Sequence, residues 1–200
     1  MARLVEIEIP SDLLRQARAG DEVARVALYT ATAPATFALI KRLIANRAVA
    51  EDLFQDTMMV LFQRLGDFRG EAPLGAWLRQ IAVSKCLMFL RSPWHRARLH
   101  LEVDSEGEVA YRLGALVTQA PAAEGFDVER ALASLSPTAR AVVWLYEVEG
   151  YSHEEIARHF GRTISFSKSQ LARAHVKLRD WFEPTEGRQS CTSIQSNKVL

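Results

Sequence analysis

The sequence predicts an all-α protein built from two small helical domains that a flexible acidic linker joins. Apolar residues recur at helical spacing from Leu13 to Trp94, and few stretches alternate in the way that strands do. Three short helical patterns then follow one another between Leu135 and Phe182, with a turn of about four residues between the last two. The stretch 99–127 between these regions loses the helical period and is rich in acids and small residues, which is typical of a linker.

Glycine and proline set the helix boundaries in the first region. Gly20 and Asp21 end the first helix, and Pro93 stops the last one. Neighbouring glycine and proline residues indicate a loop over 68–73. The expected helices are one before Gly20, one from 22 towards 32, one that Pro34 starts, one over 50–65 and one over 74–90.

Capping signals bound the helices of the second region. Ser136 with Pro137 is a helix start, and Gly150 is a stop. Ser152 with Glu155 is a capping box for the next helix, which a Phe-Gly pair ends. The last helix is expected to start near residue 163 or 165 and to end around residue 182.

These boundaries divide the chain into a domain over 1–98, a linker over 99–127, a domain over 128–183 and a polar tail over 184–200. We expect the two domains to fold independently, with cores that touch little in the free protein. The formal net charge of +1 hides an asymmetry, since residues 1–100 carry +4, residues 101–127 carry −5 and residues 128–182 carry +2. Two mildly basic regions therefore flank an acidic connector.

Cysteine usage and hydropathy predict the compartment. Cys86 and Cys191 are far apart and have no metal-like spacing, which favours a reducing environment. No apolar run approaches the ~20 residues of a membrane span. The N-terminus is too acidic and polar for a signal peptide. We therefore expect a cytoplasmic protein without membrane insertion.

The helix over 50–65 has two different faces. Its core stripe is Phe54, Met58, Leu61, Phe62 and Leu65. Its polar face is Asp52, Gln55, Asp56, Met59 and Gln63. A solvated surface explains the polar face if it is considered alone. A docking face for a basic or polar partner is the second interpretation, and an exposed methionine suits it slightly better.

Basic and aromatic residues interleave in the following segment. The candidates for binding nucleic acid are Phe68, Arg69, Trp77, Arg79, Lys85 and Arg91, with the WHRAR run over 94–98. Such mixtures hold single strands, because bases stack on aromatic rings while cations follow the phosphates. For Trp77, which lies among leucines and an isoleucine, a core position is the favoured interpretation.

The second region has the spacing of a helix-turn-helix. Its expected core is Ile156, Phe160, Ile164, Leu171 and Leu178, with the small Ala157 where the helices approach. Its expected groove face is Arg162, Thr163, Ser165, Phe166, Lys168, Ser169 and Arg173. An ordinary three-helix bundle is the alternative, and the capping box, glycine and small-residue spacing favour DNA binding over it.

No catalytic constellation is visible in the sequence. His153 and His159 are six residues apart and do not share a helix face, and the other three histidines have no Cys or acid partner at ligand spacing. The serines lack a GxSxG elbow, and no phosphate-binding glycine motif occurs. We therefore expect neither an enzyme nor a bound metal or other cofactor.

Both regions resemble bacterial RNA polymerase sigma factors of the extracytoplasmic-function group. The family's region 2 is similar to LLRQARAGDEVARVALY followed by AEDLFQDTMMVLFQRLGDFRGEAPLGAWLRQIA. Its region 4 is similar to LSPTARAVVWLYEVEGYSHEEIARHFG followed by KSQLARAHVKLR. A helix-turn-helix alone is common among regulators, whereas the first block and the order of the two blocks are more specific.

The resemblance implies a function and partners. A protein of this group directs core RNA polymerase to promoters, and a stress or envelope response is the expected regulon. Asp52, Gln55, Asp56, Met59 and Gln63 would bind the largest polymerase subunit, and the second-largest subunit is a further partner. The FRGEAPLGAW loop and the helix after it would hold the melted minus-10 strand, and the helix from Thr163 to His175 would read the minus-35 element. Regulation by an anti-sigma factor is common in the group.

The sequence departs from the family pattern at several positions. Arg79-Gln80 replaces a usual Tyr-Arg, Phe166-Ser167 replaces Thr-Val, and Gln170 and His175 replace arginines. We expect the changes at Phe166 and Gln170 to alter the minus-35 preference. Two other classes stay open: a helix-turn-helix regulator that never engages polymerase, and an interaction protein that occupies polymerase or an anti-sigma factor without initiating.

Overall fold

A computed structural model describes residues 3–92, 102–103, 109–110 and 126–182. The helices are α1 (Ser11–Ala19), α2 (Glu22–Leu43), α3 (Arg47–Arg64), α4 (Leu74–Arg91), α5 (Phe126–Ala133), α6 (Pro137–Val143), α7 (His153–Phe160) and α8 (Ile164–Phe182). Short 3-10 turns cover Leu4–Glu6 and Leu65–Asp67, and a π turn over Trp144–Val148 extends α6. The all-α fold class is confirmed. The WHRAR run, most of the expected linker and the polar tail lie outside the described residues.

Two features differ from the expected linker boundaries. Strand β1 (Glu102–Val103) pairs antiparallel with strand β2 (Val109–Ala110), where the sequence suggested no regular structure. Helix α5 begins at Phe126, two residues before the expected start of the second domain. The linker prediction rested on lost helical periodicity, which a two-residue strand pair is too short to reveal.

Helix α2 is continuous through Pro34, so the expected helix boundary at this proline was wrong. Pro34 is exposed and lacks the N–H that would bond the preceding turn. Buried residues on both sides of it, including Leu28 and Ile40, keep the helix in the core. Packing of a long apolar face therefore outweighs the one lost backbone bond.

The length of α2 also corrects the expectation about apolar runs. By length and composition α2 could cross a membrane, with a mean hydropathy of 1.4 over its most apolar window. Its contacts are with α1, α3 and α4, which makes it the central helix of the first bundle. Dividing the sequence at Pro34 had hidden this run.

The cores of the two regions are joined. Helix α4 packs on α7, α2 packs on α6, and the buried apolar residues of both regions form one cluster. Leu87 of α4 and Ile156 of α7 are among its least exposed members. The expectation that the two cores touch little was wrong for this arrangement, because loss of periodicity between two regions does not report how their surfaces fit together.

Arg140 links the two regions through the end of α2. This side chain of α6 is 9% exposed, and it donates from Nε to the Arg42 carbonyl at 2.7 Å and from Nη2 to the Lys41 carbonyl at 3.1 Å. The last carbonyls of a helix have no partner within it and carry partial negative charge. Arg140 therefore caps the C-terminus of α2 from the other region.

The N-terminal turn fixes the start of α4. A Cβ on Gly75 would lie 1.9 Å from the Leu4 carbonyl oxygen, so only glycine allows this approach. Leu4 itself is buried in the shared core. The residues before α1 thus hold the first turn of α4 in place.

Candidate protein and nucleic-acid interfaces

The polar face of α3 is exposed along its whole length. Asn46 starts the helix by accepting the backbone N–H of Val49 at 3.1 Å. The five residues of the predicted docking face are all exposed: Asp52, Gln55, Asp56, Met59 and Gln63. Met59 is 58% exposed, which is unusual because an apolar side chain is normally buried in the core. The opposite face buries Leu53, Met58 and Leu61, so the two faces separate as the spacing predicted.

Asp56 differs from its neighbours on this face. Lys85 of α4 donates from Nζ to its carboxylate at 3.4 Å, with the lysine side chain 32% exposed and the aspartate 57% exposed. A residue of the predicted polymerase-binding face, Asp56, therefore contacts Lys85, a residue predicted to bind nucleic acid. Such a half-exposed pair adds little to stability, but it orients Lys85 towards α3.

The loop before α4 forms a recess beside an aromatic pair. Phe68 is buried, and its ring centroid lies 5.3 Å from that of the half-buried Trp77. The recess has a volume of about 240 Å³, and its lining includes Arg69, Glu71, Trp77 and Gln80. Arg69 is exposed at its rim, 3.8 Å from the Glu71 carboxylate. Phe68 is thus a buried part of the recess lining, whereas Trp77 is half-buried and Arg69 is exposed.

Arg79 and Arg91 point to the second helical region. Arg79 donates from Nη1 to the Glu149 carbonyl at 2.8 Å, lies 3.6 Å from the Glu149 carboxylate, and stacks 4.9 Å from the ring centre of Tyr151. Arg91 donates from Nη1 to the His159 carbonyl at 3.0 Å. Sequence reasoning assigned both arginines to nucleic acid and could not show that they contact the other region.

The helix-turn-helix has the local structure that its capping signals predict. The Ser152 hydroxyl accepts the Glu155 N–H at 3.2 Å, and the Glu155 carboxylate accepts the Ser152 N–H at 2.8 Å. Gly161 ends α7 with a φ of 61°, a left-handed conformation that glycine adopts readily. Ala157 is 3% exposed, as a close approach of α7 and α8 requires.

The core of this motif differs from the prediction at one position. Ile156, Phe160 and Leu171 are buried, and Leu178 packs against the core, but Ile164 is 42% exposed. Ile164 is the first residue of α8, where the helix has only begun to turn towards α7. A core position for Ile164 was therefore wrong.

Two of the departures from the family pattern are buried. Gln170 is 6% exposed and Ser167 is 0% exposed, and the Ser167 hydroxyl lies 3.0 Å from His153 Nδ1. Gln170 is buried, so an effect of this departure on the minus-35 preference would act through packing, and it stays a prediction. The contact of Ser167 with His153 places this serine between α8 and the start of α7.

The expected groove face is mostly accessible. Its exposed members are Arg162, Thr163, Ser165, Lys168, Ser169 and Arg173. Phe166 is half-buried, with its ring 5.7 Å from that of Phe160 and 6.0 Å from the Arg162 guanidinium. The Thr163 hydroxyl accepts the Phe166 N–H at 3.3 Å, so Thr163 caps α8. Thr163 and Phe166 have structural roles besides any contact with DNA.

Burial and helix capping shift the pKa values of several titratable groups. Burial raises the pKa of the Cys86 thiol to about 12, so this cysteine stays protonated and unreactive. Burial also raises the pKa of Tyr151, and hydrogen bonds from Ser152 lower the pKa of Glu155. Burial lowers the pKa of the His159 imidazole. Within the described ranges, no group of three or more His, Cys, Asp or Glu side chains could hold a metal ion.

Arg140, Glu149 and Tyr151 are contacts that sequence reasoning missed. A signal existed for Arg140, since it lies between Ala139 and Ala141 in an apolar helix where a lone cation needs a buried acceptor. Glu149 and Tyr151 flank the helix stop Gly150 and read as ordinary loop residues.

Comparison with known proteins identifies both regions. Residues 28–96 match the family described as Sigma-70 region 2, and residues 126–178 match Sigma-70, region 4. The chain is 34% identical over 129 residues to the ECF RNA polymerase sigma factor SigM of Mycobacterium tuberculosis, covering 64% of this chain and 62% of that protein. It is 30% identical over 156 residues to SigE of Mycolicibacterium smegmatis, covering 72% and 56%. The chain thus spans less than two thirds of the length of these relatives.

A solved structure has a similar fold. It is the sigma factor RpoE in complex with the anti-sigma factor NepR from Bartonella quintana, with a TM-score of 0.52 and 26% identity, covering 78% of this chain and 95% of that one. The order of the two matched regions, region 2 before region 4, agrees with the order of the two helical blocks. Both matched regions describe one family and together cover more than half of the chain, so it belongs to the sigma-70 family. Its curated relatives are named as members of the extracytoplasmic-function group.

Proposed function

We propose that this protein is a sigma factor that directs core RNA polymerase to specific promoters in the cytoplasm. The observation that carries the proposal is an exposed, mixed polar and apolar face on α3 within a region 2 match, followed by a helix-turn-helix within a region 4 match. The protein would select the start site while polymerase performs the chemistry. It is therefore an initiation factor and not itself an enzyme.

The polymerase contact is proposed for the docking face of α3. Asp52, Gln55 and Gln63 are exposed and supply acceptors and donors, while Met59 supplies apolar area. An apolar anchor within a polar rim is the usual composition of a protein interface. The largest polymerase subunit is the proposed partner of this face, and the second-largest subunit is a further proposed partner.

The promoter contacts are proposed for two separate surfaces. The recess beside Trp77, with Arg69 at its rim, suits an unstacked base and its phosphate. Lys168, Ser169 and Arg173 on α8 suit the major groove of duplex DNA at the minus-35 element. Promoter recognition would then be divided between the two regions, which form single-strand and duplex contacts respectively.

The region 2 match favours this function over a regulator that only binds DNA. Such a regulator has no use for an exposed docking face next to a base-sized recess. An anti-sigma partner is a further proposal, supported by the complex in which the similar Bartonella protein was solved. A stress or envelope response remains the proposed regulon.

The decisive experiment tests the α3 face in a reconstituted transcription assay. Asp52→Arg combined with Gln55→Arg should abolish association with core polymerase, because two large cations replace an acid and an amide at the centre of the face. Asp56 is left unchanged, since its substitution would also release Lys85. Association is measured by co-elution with core polymerase and by run-off transcripts from promoters selected in vivo.

Glu8→Arg combined with Gln16→Arg is the matched control. It makes the same change of charge at exposed positions away from α3. The control should retain polymerase binding and transcription. If the Asp52 and Gln55 variant binds as tightly as the control, the docking face has been misplaced. If the wild-type protein yields no transcript with core polymerase, the proposed function fails.

A further inference from the structure

The N-terminal turn before α1 packs against the start of α4. This 3-10 turn, Leu4–Glu6, contacts α4 and α2, and Leu4 is 3% exposed within the shared core. Its backbone comes so close that a Cβ on Gly75 would lie 1.9 Å from the Leu4 carbonyl oxygen. Ile7 and Ile9 also pack against the core. The segment precedes the region 2 match, which begins at residue 28, so the family match gives it no role.

Local hydrogen bonds hold this turn in one shape. The Arg3 backbone N–H donates to Glu6 Oε2 at 2.9 Å, and Arg3 Nε donates to Glu6 Oε1 at 2.9 Å. The two bonds close the turn on itself, while the buried Leu4 side chain anchors it in the core. The Leu4 carbonyl is therefore presented to α4 from a fixed position.

The start of α4 depends on packing because it has no side-chain cap. Its N-cap residue is Pro73, which has no side-chain oxygen to accept the N–H groups of the first turn. Leu74 and Gly75, the first two residues of the helix, are both buried. The N-terminal turn lies against this buried end, so it takes part in fixing where α4 begins and how it is placed.

The same end of α4 carries part of the recess that is proposed to hold an unstacked base. Ala76 and Trp77 directly follow Gly75, Gln80 lies about one turn further along, and all three line the recess. The rest of the lining is the loop 67–72, whose Phe68 ring centroid lies 5.3 Å from that of Trp77. Binding sites need their side chains held within about 0.5 Å of the productive geometry. A shift at Gly75 would move the Trp77 ring relative to the loop by at least that much.

We propose that the N-terminal turn is a positioning segment for the single-strand recess, in which Leu4 sets the place of Trp77 through its contact with Gly75. The inference rests on the proposed role of the recess in promoter binding. It gives a part in that binding to residues outside both matched regions. Leu4 and Gly75 are buried and act through the Trp77 ring, which they preorganise for stacking.

Gly75→Ala in the holoenzyme reconstituted with core polymerase tests the contact. The added methyl group cannot fit against the Leu4 carbonyl, so the turn or α4 must shift. Binding of the minus-10 non-template single strand from a promoter selected in vivo should weaken about tenfold, the effect of losing one stacked base. The strand carries 2-aminopurine, whose fluorescence stacking quenches, at each position in turn. Quenching should be lost at the base that stacks on Trp77.

Gly66→Ala is the matched control, because a Cβ at this exposed glycine would meet nothing within 4 Å. It should bind the strand within about twofold of the wild-type protein, as surface substitutions usually do. Equal binding and quenching in Gly75→Ala and Gly66→Ala would overturn the positioning role. If Gly75→Ala does not fold, the substitutions at Leu4 carry the test.

Two substitutions of Leu4 separate positioning from a general loss of packing. Leu4→Ala should weaken strand binding and quenching, whereas Leu4→Met, which keeps the side-chain volume, should retain both. Leu145→Ala truncates a leucine of the second region that is 0% exposed, and it should leave quenching unchanged. An equal loss of quenching in Leu4→Ala and Leu145→Ala would overturn the positioning role. So would additive effects of Leu4→Ala and Gly75→Ala, because one shared contact predicts that the double variant is no weaker than the weaker-binding single variant.

Trp77→Ala distinguishes a failure of this inference from a failure of the proposed function. Trp77 lines the recess, so its loss should weaken strand binding and remove the quenching in every background. If Trp77→Ala weakens binding but the variants of Leu4 and Gly75 do not, the inference alone fails. If Trp77→Ala leaves binding and quenching unchanged, the proposed recess fails and the inference fails with it.

Discussion

Single residues determine how far α4 is available to a partner. Arg79 is enclosed by Glu149 and Tyr151, and its Nε atom lacks a partner within the described part of the chain. The cation is therefore held by one carbonyl, one carboxylate at 3.6 Å and an aromatic face. This set is weaker than a fully paired buried arginine, because one donor is desolvated without compensation.

Tyr151→Phe should stabilise the folded protein. The substitution removes a buried hydroxyl that has no partner in the described residues, while the ring keeps its contacts with Arg79 and His159. We expect the free energy of unfolding to rise by about 1 kcal/mol. Urea denaturation followed by far-ultraviolet circular dichroism measures it. Tyr146→Phe is the control and should change little, because Tyr146 is exposed. A loss of stability in Tyr151→Phe would mean that the hydroxyl is satisfied.

At the scale of helices, capping signals predicted the structure better than proline did. Ser136, Ser152 and Gly161 bound their helices as expected, because each acts through a local hydrogen bond or a local φ angle. Pro34 failed as a boundary, since its effect is a fixed local cost that distant packing can exceed. The faces of α3 and α8 were likewise predictable from spacing, with an error at Ile164, the first residue of α8.

Pro34→Ala tests this balance within α2. Alanine restores the N–H that can bond the Thr30 carbonyl and removes the ring from the helix interior. The free energy of unfolding should rise by about 1–2 kcal/mol, less than the full propensity difference because proline also restricts the unfolded chain. Thermal and urea unfolding measure the change. Ala31→Gly, at an exposed position of the same helix, should lower stability by about 1 kcal/mol and shows the sensitivity of the assay. No gain in Pro34→Ala would mean that α2 is shaped around the proline.

At the scale of the whole molecule, the docking of the two regions was not predictable. The sequence showed two patterned regions and an unpatterned connector, and from this we expected separate cores. The structure instead buries Arg140 against the end of α2 and pairs Arg42 with Glu129. Contacts between residues about ninety positions apart leave no periodic signal, and each depends on the shape of both surfaces. The fold and candidate surfaces follow from local patterns, whereas the packing of the two regions depends on contacts between distant residues.

The shared core predicts that the two regions unfold together. Arg140→Ala would leave the Lys41 and Arg42 carbonyls without this partner and weaken the junction by about 1–3 kcal/mol. Native-state hydrogen exchange should give α2 and α6 the same opening free energy in the wild-type chain, and Arg140→Ala should lower both values or separate them.

Arg130→Ala provides the comparison for that experiment. Arg130 is exposed on α5, so its loss should leave the protection of both helices unchanged. Different opening free energies for α2 and α6 in the wild-type chain, with Arg140→Ala affecting α6 alone, would show that the regions fold independently. In that case the junction would contribute no cooperativity, and its role would be limited to covering α4. Equal values that fall together in Arg140→Ala would instead tie exposure of Arg79 and Arg91 on α4 to the stability of the shared core.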